Sequence, residues 1–137
     1  MLGITTTLEL KLDYDCSKVG VIRKFTYGYN SIVRVYKSKR TYIPILRVQR
    51  VVRSRRGYHV YVNVILAEGL HTTTRERWMT LALQSVLGSD STRGLYDALR
   101  VCRNDRVFNL LFSYKNGYLN TEDSDLEQKL NVIVGAR

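Results

Sequence analysis

The chain has 137 residues and a 45% hydrophobic content, which gives it the length of one ordinary domain and enough apolar surface for a core, and excludes wholesale disorder. No apolar run approaches the roughly 18 residues of a membrane span, and Met1 to Thr7 lacks the basic and apolar regions of a signal peptide, so a soluble protein that stays inside the cell is expected, with no membrane partner. Lysine and arginine number 22 against 12 acids, a net charge of +10, which favours a polyanionic partner through counterion release and steering.

Thr5 to Asp15 alternates apolar and polar residues, with Leu8, Leu10, Leu12 and Tyr14 on one side and Glu9, Lys11, Asp13 and Asp15 on the other. That period of two predicts a strand with one buried face. Ser17 to Lys24 reads as a helical turn, Tyr27 to Asn30 as a loop around Gly28, and Ser31 to Lys37 as a short strand. After Pro44 the pattern predicts a strand over Ile45 to Arg53, a tight link at Ser54-Arg55-Arg56-Gly57, and a third strand over Tyr58 to Leu66, together a hairpin. Thr73-x-x-Glu76 has the form of a capping box opening a helix over Thr74 to Leu87, with Trp78, Leu81, Ala82 and Val86 as its apolar stripe and Gly88 as its C′ stop. Ser89 or Asp90 can cap a second helix ending near Leu99. A strand over Val107 to Tyr114, an Asn116-Gly117 turn and a last helix opened by Ser124-x-x-Glu127 complete the order. No linker or repeat interrupts it. The expected fold is a single α+β domain over residues 1–137, a mostly antiparallel sheet with helices packed on it.

The charge is unevenly spread. From Ile22 to Leu66 there is no acidic residue, while Lys37, Lys39, Arg40, Arg53, Arg55 and Arg56 all fall in that half and are the expected nucleic-acid contacts. Acids gather near the other end, at Glu122, Asp123, Asp125 and Glu127. Two cysteines far apart, Cys16 and Cys102, and two histidines do not make a zinc site.

Asp13 and Asp15 stand two apart on the polar side of the first strand, about 6 to 7 Å apart along it. Two carboxylates aimed at one point suit Mg²⁺ or Mn²⁺, which take oxygen ligands and share substrate phosphates. Gly57 allows a close backbone approach, and His59 projects from the polar side of its strand beside guanidinium groups, where it can donate to a phosphate oxygen.

Taken in order, these segments resemble the archaeo-eukaryotic primase–polymerase superfamily. Leu12-Asp13-Tyr14-Asp15 looks like its acidic strand motif. Ser54 to Tyr61 is similar to its Ser-Gly-x-Gly-x-His-hydrophobic-Tyr form, departing at Arg55. Tyr96 to Asn109, continuing through Ser113-Tyr114-Lys115-Asn116-Gly117, resembles its third acid with the Asn-Arg, Phe-Arg and Ser-x-Lys-x-Gly that follow; Asp105 splits the Asn-Arg pair and Asn109 replaces an arginine. The resemblance covers residues 8 to 117. It implies an RRM-like palm and template-directed nucleotidyl transfer, in which a 3′-hydroxyl attacks a nucleoside triphosphate. It assigns Asp13, Asp15 and Asp97 as catalytic, metal-binding acids; the helix read up to Leu99 would hold Asp97 away from the sheet, which leaves Asp90 or Asp105 as substitutes for the third. It assigns Ser54, Gly57 and His59, with Lys115 and Arg106, to the nucleotide. Its partners are single-stranded or primed DNA, nucleoside triphosphates and other replication proteins. Two rival classes fit the same composition: a non-catalytic RRM-like module stacking bases on its tyrosines, and a basic protein that coats DNA.

Overall fold

The computed structural model describes residues 5–89, 91–103, 114–115, 118–119 and 121–135. Strand β1 (Thr6–Tyr14), helix α1 (Lys18–Ser38), β2 (Ile45–Arg53) and β3 (Tyr58–Leu66) come first. Helices α2 (Thr73–Val86) and α3 (Ser91–Cys102), the two-residue strands β4 (Tyr114–Lys115), β5 (Tyr118–Leu119) and β6 (Thr121–Glu122), and helix α4 (Ser124–Ile133) follow. The main sheet runs in the order β1-β3-β2-β6, every described pair antiparallel, and β4 pairs with β5 apart from it. The fold is α+β.

The alternation read from the sequence sets the register. Leu8, Leu10, Leu12 and Tyr14 of β1 lie opposite Val64, Val62, Val60 and Tyr58 of β3, and all eight are buried. β2 carries one extra residue, Gln49, between Val48 and Arg50, and this bulge moves the buried parity from Leu46 and Val48 to Val51. The buried face receives Val21, Phe25 and Ile32 of α1 and Leu126 and Leu130 of α4. Since β1 and β2 both run antiparallel to the β3 between them, β1-α1-β2 is a split crossover, and β1-β3-β2 has the central order of an RRM-like sheet. No described strand takes the outer place beside β1.

Residues 18–38 form one long helix where the sequence reading has a helical turn, a loop and a strand. Ser17 caps it, its hydroxyl accepting from the Gly20 amide at 3.2 Å. Val21, Phe25, Gly28 and Ile32 fall on its buried side. Gly28 is a contact point, not a break: a Cβ there would stand 2.3 Å from the Val86 carbonyl oxygen, so the absence of a side chain lets α1 cross the end of α2. The helix stops at Lys39 and Arg40, the latter at φ 56° in the left-handed region usually held by glycine.

Helix α2 presents a different face from the stripe read in the sequence. Thr80, Leu81, Leu83, Gln84 and Leu87 are buried, whereas Trp78 and Val86 are exposed. The buried glutamine explains the rotation: its side-chain oxygen accepts from the Lys11 amide at 2.9 Å, on the outer edge of β1. Ser89 Oγ accepts from the Asp13 amide at 2.9 Å, and the Tyr14 hydroxyl donates to the Leu87 carbonyl at 2.5 Å. Burial pushes the Tyr14 phenol well above its ordinary pKa. On the β2 side, the Asn131 side chain of α4 accepts from the Val48 amide at 2.8 Å and donates to its carbonyl at 3.0 Å. The two caps each fall one residue before the expected position, at Thr72 for α2 and Asp123 for α4, whose side chains accept from Arg75 N and Leu126 N. Gly88 does adopt a positive φ, 84°, after α2. The strand expected over Val107 to Tyr114 and the Asn116-Gly117 turn lie almost wholly outside the described residues. Among the described residues no helix is long and apolar enough to cross a membrane.

Two glycines in helices should respond oppositely to alanine. Gly28→Ala forces a Cβ against backbone and should destabilise by about 1–3 kcal/mol or more. Gly94 in α3 has nothing within 4 Å of its Cβ position, so Gly94→Ala should stabilise by about 0.5–1 kcal/mol. Urea denaturation of both variants checks the pair; a stable Gly28→Ala protein would refute the crossing described.

Candidate functional site

The polar side of the sheet carries Lys11 and Asp13 of β1, His59, Tyr61 and Asn63 of β3, and Arg47 and Arg50 of β2. Asp13 and His59 are register partners, and His59 Nε2 lies 3.5 Å from Asp13 Oδ1. The pair is an ion pair whenever the imidazole is protonated. Its two side chains are only 10% (His59) and 24% (Asp13) exposed, so solvent screens it less than a surface pair. Arg50 lies over the Tyr61 ring, 5.6 Å from its centroid, and also pairs with Glu122 of β6.

Asp15 follows the end of β1 and is exposed. Asp97 has a different setting. It sits in the middle of α3, 1% exposed, with the Arg100 guanidinium one helical turn away at 3.2 Å. Among the described residues no three His, Cys, Asp or Glu side chains form a group that could hold a metal ion. Asp13 and Asp15 therefore stand without Asp97, whose carboxylate is engaged within its own helix. The substitutes Asp90 and Asp105 and the nucleotide contact Arg106 lie outside the described residues. Lys115 lies on β4, opposite Tyr118 of β5. A protein-built three-acid cage is not a requirement for Mg²⁺, which is commonly held by one or two carboxylates together with substrate phosphates. The donor set Asp13 and Asp15 fits that use.

The β2–β3 hairpin brings the remaining residues to the same end of the sheet. Ser54 N donates to the Gly57 carbonyl at 2.8 Å, and Gly57 N donates back to Ser54 Oγ at 3.2 Å, so both residues build the turn. The close approach that Gly57 permits is to the protein itself: a Cβ would stand 1.8 Å from the Tyr14 carbonyl oxygen. Arg53, Arg55 and Arg56 are exposed around this turn. They line a cleft of about 400 Å³ with Ser54, Gly57, Tyr58 and the start of α1, Cys16 to Lys18. Lys18 is a member that the sequence reading missed; the detectable signal was Ser17 as a helix cap. Its ammonium lies 3.2 Å from Asp123 and 3.5 Å from Asp125, and the hydrogen bond to Asp123 holds its pKa above the ordinary value.

The basic half of the sequence is spread along the fold. Lys37, Lys39 and Arg40 close the C-terminal end of α1, while the cleft lies at its N-terminal end. At 1.5 Å per residue the helix separates the two cationic groups by about 30 Å. The chain matches no family model, no curated protein and no solved structure.

If Asp13 and His59 act on each other, their substitutions will not add. A double-mutant cycle of Asp13→Asn and His59→Gln, read by denaturant unfolding, should return a coupling of about 0.5–3 kcal/mol. Strict additivity would mean that the two side chains serve separate partners.

Proposed function

We propose that the chain is a nucleotidyltransferase of the primase–polymerase type, acting on nucleic acid with Mg²⁺ or Mn²⁺. The observation that carries this reading is the Asp13–His59 pair. A carboxylate and an imidazole meet across β1 and β3, at the end of the sheet where the β2–β3 hairpin turns. The two strand motifs that resemble the family are neighbours in the fold, although 45 residues separate Asp13 from His59 in the chain.

In this reading Asp13 and Asp15 hold the metal, which when bound supplies neutralisation of the charge that develops on the phosphates. The 3′-hydroxyl of a primer gives up its proton to solvent as its oxygen attacks the α-phosphorus of a nucleoside triphosphate, the bond to the bridging oxygen breaks, and pyrophosphate leaves. His59 offers the Nε2–H beside Asp13 to a phosphate oxygen, since Nδ1 is buried, and its contact with Asp13 orients the ring. The largely buried setting of the pair strengthens these interactions relative to water. Lys115 is the further phosphate contact.

A second reading, nucleic-acid binding without catalysis, is favoured by the engagement of Asp97 with Arg100 inside α3. Primer extension with Mg²⁺ or Mn²⁺ separates the two. Incorporation by the natural protein should fall to background in Asp13→Asn and Asp15→Asn, with Tm little changed. His59→Gln should weaken nucleotide binding by about 1.5–3 kcal/mol, the scale of a hydrogen bond to a charged group. A protein that binds oligonucleotides but incorporates nothing with either metal is the second kind.

A further inference from the structure

The hairpin cleft and the Asp13–His59 pair lie on opposite sides of the sheet. Tyr58, which lines the cleft, faces the core with its register partner Tyr14, and the opposite wall is the start of α1, a helix packed on that buried side. His59, one residue on, projects to the other side with Asp13. The guanidinium groups of the hairpin therefore gather at a place of their own, behind the pair.

Charge separates this cleft from the rest of the surface. Three of the four acids near the C-terminus are taken up locally: Glu122 pairs with Arg50, Asp123 with Lys18, and Asp125 with Lys18 and Lys129. Asp123 and Asp125 thus offset the one ammonium in the lining. Among the described residues, Arg53, Arg55 and Arg56 have no carboxylate partner. Three exposed guanidinium groups around a polar concavity suit an anion with several acceptor oxygens, since each presents a fork of donors. The Ser54 hydroxyl, which accepts from Gly57 N and keeps its own proton to donate, and the amides of Lys18 and Val19, ahead of the capped Gly20 amide, add neutral donors.

We infer that this cleft is a separate binding site for the phosphodiester backbone of a single-stranded nucleic acid, held by Arg53, Arg55 and Arg56 on the helix side of the sheet. A strand seated there turns around the hairpin tip and reaches the Asp13–His59 side from behind. The site shares with the proposed function only its nucleic-acid partner, so loss of incorporation in Asp13→Asn leaves it standing.

Cys16 in the lining and Cys102, exposed on α3, provide a paired reporter. A single-stranded oligonucleotide of about 10 nucleotides should slow alkylation of Cys16 and leave Cys102 unchanged. Arg55→Ala/Arg56→Ala should abolish that protection, and should reduce the slope of log affinity against log salt by about 1.4, two phosphate contacts at about 0.7 each. Lys37→Ala/Lys39→Ala, at the far end of α1, should leave Cys16 protected. Both changes are on exposed residues, and Tm confirms that the variants fold. An unchanged salt slope with Cys16 still protected in the Arg55/Arg56 variant overturns the proposal. So does protection of Cys16 by inorganic pyrophosphate but not by the oligonucleotide, which marks a site for a free anion.

Discussion

The pairing of β1 with β3 fixes almost everything else. Its side chains have period two, so a slip of one residue would carry Leu8, Leu10, Leu12 and Tyr14 to the polar side and put Asp13 into the core. Burying an unpaired carboxylate is far costlier than exposing a leucine, and the correct register is held by that difference. The same register sets Asp13 against His59. Core packing and the candidate site are thus two sides of one constraint, and a change that loosens the buried face would misplace the polar one.

Electrostatics divide the surface in a second way. Three acids of the C-terminal region, Glu122, Asp123 and Asp125, sit against Arg50, Lys18 and Lys129. Positive charge is thereby left concentrated at the hairpin tip and at the end of α1, about 30 Å apart along the helix. A net charge of +10 describes the attraction for a polyanion, but the position of the acids determines where that attraction is felt.

The strands were legible because each has one buried side and a clear stop. β2 and β3 run over the residues their alternation marks, with Ser54 to Gly57 as the link. Helix α1 was illegible at Gly28, which local propensity assigns to a loop. Its meaning lies in α2, at Val86, far along the chain. Yet Val21, Phe25 and Ile32 do follow a helical spacing, and weighting that spacing above the glycine would have recovered the helix. The face of α2 was misread for a related reason. A hydrophobic stripe is what a sequence shows, whereas the helix turns a glutamine inward to satisfy an edge amide. At the site, Asp13 and His59 were legible from strand alternation, but Lys18 needed the helix start and the hairpin to be brought together. The reading of Asp97 as a ligand rested on its place in a motif, and its partner Arg100 is a consequence of helical spacing.

Among the described residues, both flanks of the main sheet are closed by side chains more than by strands. Gln84 and Ser89 occupy amides of β1, and Asn131 occupies the amide and carbonyl of Val48 beside a bulge. These contacts span 73, 76 and 83 residues of chain, so none of them forms early by local collapse. A nascent or refolding molecule that has paired β1, β2 and β3 presents two open ladders until the later helices dock. In that interval strand addition by a neighbouring molecule competes with folding. The rate at which α2 and α4 arrive, more than the stability of the finished sheet, therefore governs how concentrated the protein can be while it folds.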